Sequence, residues 1–316
     1  MMKDGVRRLS SILLFTALAA QLAAGAQGVP PPHYRAFDAK GNAVTLQAIV
    51  ASLGRADVLF VGETHDDAVA HLLEAELLRR ADEAYGASSA EHRSVALSLE
   101  MFERDVQTVL DEYLAGLITE RHFLLSSRPW RNYETDYRPL VEYAREHHLP
   151  VIAANAPARY VSRVSSNGPD SLKSLPQVAI KSWLPPLPFP PASEGYAAKF
   201  NRFMGGEGAA GATQASAHGG LHLLEAQTLR DASMAYSISE YLKRGRDPLV
   251  VQVNGTFHSE ERMGVPEQLA RYRKQARAVV VTIVPADSFP NFEAGLGRLG
   301  DFVIITDPAV KTGSGF

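Results

Sequence analysis

A three-layer α/β/α fold around a mostly parallel sheet follows from three features of the sequence. Six short runs are almost continuously apolar, segments of helical spacing separate them, and polar clusters recur where the runs end. Strands covered on both faces lose the polar alternation of half-exposed ones, so unbroken runs point to a buried parallel sheet. The expected strands are Asp57–Val61, Ser94–Leu99, Pro150–Ala153, Leu249–Val253, Ala278–Val284 and Phe302–Thr306.

The intervening helices follow in order. Val69, Leu72, Leu73 and Leu77 form an apolar stripe behind Asp66 and Asp67, residue types that cap a helix N-terminus. Val106, Val109, Leu110, Tyr113, Leu114 and Leu117 make a second stripe, and Leu140, Tyr143 and Ala144 a third. Tyr196–Met204 reads as a short helix and Leu221–Leu242 as a long one. Strand–helix alternation of this kind yields helices on both faces of a sheet. The stretch 185–191, PPLPFPP, cannot be helix or central strand, because proline lacks the N–H. Residues 205–220 are rich in glycine and alanine and are expected to be mobile. Residues 185–225 are therefore read as a helical and flexible excursion from the sheet.

Composition narrows the function. The chain has 316 residues, 46% of them hydrophobic, with a net charge of −3 and no cysteine. No basic excess is present to neutralise a phosphate backbone, which argues against a nucleic-acid partner. Without cysteine there is no disulfide framework, thiolate nucleophile, zinc ribbon or lipid-bearing N-terminal thiol, and any metal must rely on other ligands. Lys3, Arg7 and Arg8 precede the apolar run Ile12–Ala20 and an Ala24-Gly25-Ala26 site. That order is expected of a secretory signal over residues 1–26, leaving 27–316 as a single exported domain, soluble in the periplasm or secreted. The apolar run is well short of the ~20 residues that span a bilayer.

Chemistry gathers at the predicted strand ends. Gly62-Glu63-Thr64-His65 follows the first strand, Glu100 closes the second, Asn155 lies past the third, and Asn254-Gly255-Thr256-Phe257-His258 follows the fourth. In open parallel sheets, ligands bind outside the carboxyl ends of strands. Glu63, His65, Glu100 and His258 would then share one volume. Two imidazoles and two carboxylates suit a divalent metal, held by His65 and His258, or a general acid–base pair. The same side chains equally suit caps and loop hydrogen bonds.

Five blocks carry a resemblance: GETHDD (62–67), LEMFERDVQTVLDEYLAG (99–116), RPWRNYETDYRPLVEYAREHHLPVIAANAP (128–157), EAQTLRDASMA (225–235) and VNGTFHS (253–259). Together they resemble the ChaN family of haem-binding uptake proteins, in a superfamily with Tiki proteases, TraB-like proteins and erythromycin esterases. The resemblance covers residues 50 to 285 and implies an α/β/α core and haem binding in bacterial iron uptake. In the wider superfamily, the positions of Glu63, His65 and His258 are associated with metal-dependent or acid–base hydrolysis, with Glu100 as a further carboxylate. Many members are lipoproteins; a chain without cysteine departs from that pattern.

Haem needs apolar walls, an axial ligand and partners for two propionates. Tyr133 and Tyr137 lie close in sequence to Arg131 and Arg138, offering phenols for ferric iron and guanidiniums for propionates. The same aromatic stretch also suits core and cap. His218 and His222, four residues apart, are further candidate ligands or solvated side chains. Gln227, Asp231 and Met234 share a helical face, where Met234 is expected to pack. His147 and His148 suit a helix C-terminus, and His33, His71, His92 and His122 show no partner pattern. Because haem has two faces, a homodimer around it is a further expectation.

Overall fold

The computed structural model describes residues 33–207, 221–244 and 247–310. The proposed signal, His218 and most of the glycine-rich stretch lie outside the described residues.

All six apolar runs are strands: β3 (Val58–Glu63), β4 (Val95–Glu103), β5 (Val151–Asn155), β6 (Leu249–Gly255), β7 (Ala278–Pro285) and β8 (Phe302–Thr306). They are mutually parallel. Two further strands, β1 (Tyr34–Asp38) and β2 (Ala43–Val44), add antiparallel to the β8 edge and were not expected. The full order is β2-β1-β8-β7-β3-β6-β4-β5. β1 has only two adjacent buried residues, Ala36 and Phe37, and so lacks the unbroken apolar run that marks the central strands.

Alternate residues of the central strands feed two separate cores. Leu59 and Val61 of β3, with Val251 and Val253 of β6, face α1 (Leu46–Ala51), α2 (Ala68–Tyr85), α3 (Gln107–Leu114) and α5 (Arg138–Glu146). Val58 and Phe60, with Val250, face α9 (Leu223–Tyr241) and α10 (Val265–Tyr272). Each fully buried side chain of this kind contributes roughly 1.5–3 kcal/mol. The result is the three-layer α/β/α arrangement that the apolar runs imply.

The helices start and stop for local reasons. Asp67 Oδ1 accepts from the N–H groups of Val69 (2.9 Å) and Ala70 (3.2 Å), capping α2 as its sequence suggests. Thr119 caps α4 (Glu120–Ser127), and Ser193 caps α8 (Glu194–Arg202). The second apolar stripe is shorter than expected: Leu117 lies beyond α3 and is 75% exposed. Residues 184–193 form neither helix nor strand, as their prolines require. Residues 158–183 add α6 (Ala158–Asn167) and α7 (Gln177–Trp183), which join α9 in a satellite core around Val164, Leu172 and Leu229. No helix among the described residues is long and apolar enough to cross a membrane.

Two details of the sheet position the site. The chain does not place β4 beside β3; β6 enters between them, so the carboxyl ends of β3, β6 and β4 are neighbours. β4 also carries a bulge. Leu99 pairs with Ala153, yet the next pair is Glu103 with Asn155, so β4 spends four residues where β5 spends two. Glu100 sits inside this irregular segment.

Candidate functional site

β3 ends on Glu63, which is buried at the rim of the sheet. A tight turn follows, closed by Asp67 N–H donating to the Thr64 carbonyl at 2.8 Å, and it turns His65 outward. The turn packs closely on the loop after β6: a Cβ at Gly62 would lie 2.8 Å from Ser259 Oγ and 3.2 Å from Thr256 Cα. Glu63 Oε1 accepts from His65 Nδ1 at 2.6 Å and from the Tyr137 hydroxyl at 3.0 Å. The His65 ring stands edge-on to Trp130, with centroids 4.6 Å apart, and its side chain is 50% exposed. Its Nε2 makes no hydrogen bond among the described residues.

Glu100 and His258 form the second half. Glu100 Oε2 accepts the Gly255 N–H at 2.8 Å, replacing a partner that the bulged β4 backbone does not supply. Its Oε1 lies 3.1 Å from His258 Nε2, and His258 Nδ1 lies 2.6 Å from Asp231 Oδ1 on α9. The Tyr196 hydroxyl donates to the other Asp231 oxygen, and the Gln227 amide is 3.1 Å from His258 Nε2. The halves meet at Gly255, where a Cβ would sit 3.0 Å from the His65 ring and 3.7 Å from Glu100 Oε2. Glu63, His65, Glu100 and His258 therefore do converge, above the carboxyl ends of β3, β4 and β6.

Their electrostatics differ. Partial burial opposes protonation of His65, but the adjacent Glu63 carboxylate outweighs it and raises the imidazole to about 9. Burial likewise works against His258, yet Glu100 and Asp231 raise it to about 10. Glu100 is penalised by burial, but His258, His65 and the Gly255 N–H hold it near 2. Asp231 is pushed up by its complete burial. His258 thus has a carboxylate against each ring nitrogen, and the two together favour its protonated form. His65 has one nitrogen on Glu63 and one without a partner among the described residues; below about pH 9 the ring carries a proton that it must give up before Nε2 can ligate.

The linkage sets a pH profile. The lowered Glu100 contributes stability that is present above 4.5 and lost as pH falls toward about 2. The raised His258 contributes stability that is complete below 6.5 and lost as pH rises through about 10. Unfolding midpoints in urea are expected to be highest between about pH 4.5 and 6.5 and to decline on both sides. In His258→Gln the alkaline decline should flatten; an unaltered profile would show that this imidazolium is not the linked group.

The remaining expected residues are placed differently. Asn155 ends β5, buried, with its Oδ1 unpaired. Tyr133 is buried among Phe102 and Phe123, and burial drives its phenol far above the ordinary range. Tyr137 is also buried, donates to Glu63, and is pushed up strongly by burial and by that carboxylate. Neither phenol has an open face for a porphyrin, so both serve the core here. Arg138 is exposed and paired with Glu120 at 2.5 Å, whereas exposed Arg131 makes no ion pair among the described residues. His222 lies beside Gly168, 3.5 Å from Glu225.

Four contributors were not picked out as site residues. Asp231 was noted only as a helix-face residue, and Tyr196 only as the start of a short helix. His71 and Glu74 form a buried pair with Nδ1···Oε2 at 3.4 Å. Their i, i+3 spacing on a capped helix was the available signal, and the expectation that His71 has no partner pattern is corrected by it.

Fold and site together define a class: α/β/α proteins carrying carboxylate–imidazole couples at the rim of a parallel sheet. Residues 49–269 match the family described as "Haem-binding uptake, Tiki superfamily, ChaN", and the chain belongs to that family. The fold is similar to that of the Campylobacter jejuni ChaN structure described as showing cofacial haem binding. The TM-score is 0.63 at 16% identity, covering 88% of this chain and 98% of that one. A looser likeness links it to an erythromycin esterase in its open conformation (TM-score 0.44, 14% identity, 87% and 83% covered). The sequence is also 26% identical over 270 residues to the Arabidopsis thaliana protein RETICULATA-RELATED 5, chloroplastic, covering 82% of this chain. The chain spans about a third of that relative's length, 34%.

Proposed function

We propose that this chain is an exported haem-binding protein of bacterial iron uptake that takes haem against the carboxyl-end rim of its sheet. Family membership across residues 49–269 is the observation that carries this reading. The residues fit the group at the rim. His65 offers an open Nε2, its other nitrogen is held by Glu63 as a ligating imidazole needs, and Trp130 supplies an aromatic wall. Arg131, adjacent to Trp130 in sequence, is an exposed guanidinium suited to a propionate. Bound haem supplies the iron; the chain's part is to orient His65 and shield one porphyrin face. A second copy would cover the other face, in keeping with the cofacial binding described for the Campylobacter jejuni protein.

Hemin titration of the purified chain is expected to give a saturable Soret shift and to double the sedimenting mass. His65→Ala should weaken binding on the order of 10- to 100-fold, and Glu63→Gln about tenfold, as loss of a ligand-orienting carboxylate does. A normal titration in His65→Ala together with loss in a His218, His222 or Tyr137 variant would move the ligand there. Absence of stoichiometric binding by the unsubstituted chain would sink the proposal.

One observation supports a second reading. The Glu63–His65 couple, with Nε2 unpartnered among the described residues, is also the arrangement of an acid–base group oriented by a carboxylate, with Glu100 and His258 beside it. Ester turnover abolished by Glu63→Gln, in a chain that takes no haem, would establish hydrolysis instead.

A further inference from the structure

Next to the rim couple lies a second cluster, which shares Glu63 with it and adds His71 and Glu74, two residues that the haem reading does not use. Glu63, His71 and Glu74 are all buried, at 1%, 4% and 0% exposure, and one donor atom from each lies within 4.8 Å of the others. Two oxygens in this cluster, Glu63 Oε2 and Glu74 Oε1, are enclosed and have no hydrogen-bond partner. A buried carboxylate oxygen without a donor is costly, so such a pair needs a positive group.

His71, the ion-pair partner of Glu74, supplies it only at long range. The three other imidazole–carboxylate couples of this site stand at 2.6, 2.6 and 3.1 Å, whereas His71 Nδ1 and Glu74 Oε2 are 3.4 Å apart. A charge-assisted hydrogen bond would be about 2.7–2.9 Å. A separation near 3.4 Å is instead roughly the ligand-to-ligand edge of a tetrahedron with metal bonds of about 2.0–2.1 Å. The opposite nitrogen, Nε2, faces the His65 carbonyl at 3.3 Å and Asp136 Oδ2 at 3.6 Å. Asp136 is itself fixed by the Asn132 amide at 2.7 Å. Those acceptors can hold a proton on Nε2, so that release of the proton between Nδ1 and Glu74 would turn the Nδ1 lone pair toward the two glutamates, as outer-shell groups do around metal-bound histidines.

We propose that Glu63, His71 and Glu74 bind one first-row divalent cation. One imidazole and two carboxylates suit zinc or manganese, and a water or the neighbouring Tyr137 hydroxyl completes the coordination. The site lies inward from the open nitrogen of His65 and shares Glu63 with it, so the cation fixes the carboxylate that orients the rim histidine. It does not depend on the haem reading.

The test is calorimetric titration of ZnCl2 and MnCl2 into the full chain after EDTA treatment. One equivalent of at least one metal is expected to bind. Glu74→Gln and His71→Asn should each weaken it by roughly 100-fold or more, exceeding the cost of losing an outer-shell partner. Glu74→Gln also separates ligation from packing. In EDTA it should melt no lower than the unsubstituted chain, because it removes one of two adjacent buried acids, while losing the metal-induced rise in melting temperature. No binding of either metal, or binding unchanged in both variants, overturns the proposal. So does a Glu74→Gln chain that melts lower in EDTA yet keeps its metal response. Hemin titration of the same samples keeps the two readings apart: haem without metal overturns this site alone, and metal without haem overturns only the haem assignment.

Discussion

Asp231→Ala is expected to lower the unfolding free energy by about 3–5 kcal/mol, the range seen when one partner of a buried ion pair is removed. Asp231 is fully buried on α9, and it joins two elements far apart in sequence. It holds His258 Nδ1 at 2.6 Å and also accepts the buried Tyr196 hydroxyl. Its loss leaves an imidazolium facing Glu100 alone and a phenol without an acceptor. Asp231→Asn, which keeps an acceptor oxygen, should lose less. Urea unfolding at pH 6 measures both, and a loss below about 1 kcal/mol for the alanine variant would show that His258 sheds its proton instead.

At the opposite end of the sheet, Arg93→Met should cost about 4 kcal/mol. The Arg93 guanidinium, 2% exposed, donates to the carbonyls of Leu53 (2.9 Å), Ala56 (2.5 Å), Asp247 (3.1 Å) and Pro248 (3.1 Å). These carbonyls belong to the segments entering β3 and β6. Methionine fills similar volume but donates nothing, and each buried acceptor left without a donor costs about 1–3 kcal/mol. Haem affinity should be unchanged in chains that remain folded, because the site lies at the other rim. A midpoint shift worth less than 1 kcal/mol in urea would mean that water replaces the guanidinium.

How much of this was legible in the sequence depended on whether a signal was local. The central strands announced themselves because burial on both faces leaves no polar alternation, and α2 because Asp67 precedes its apolar stripe. The convergence of Glu63, Glu100 and His258 was legible from their positions at strand ends. What could not be read was the order β3-β6-β4, which decides that Gly255 lies between the two halves. Asp231 was hidden for the same reason: nothing near it in sequence says that α9 reaches the segment after β6. Tyr133 and Tyr137 misled because an aromatic run beside arginines has the same composition whether it lines a cavity or fills a core. Only packing against Phe102 and Phe123 for one, and the hydrogen bond to Glu63 for the other, separates those cases.

The slack in β4 between Leu99 and Glu103 has a consequence for how this rim can change over generations. A bulge takes up extra residues without turning over the strand on either side, so Leu99 and Glu103 keep their partners on β5 while Glu100 between them is aimed at the Gly255 amide. A change of length in this segment would therefore act first on the aim of that one carboxylate and leave the flanking pairing in place.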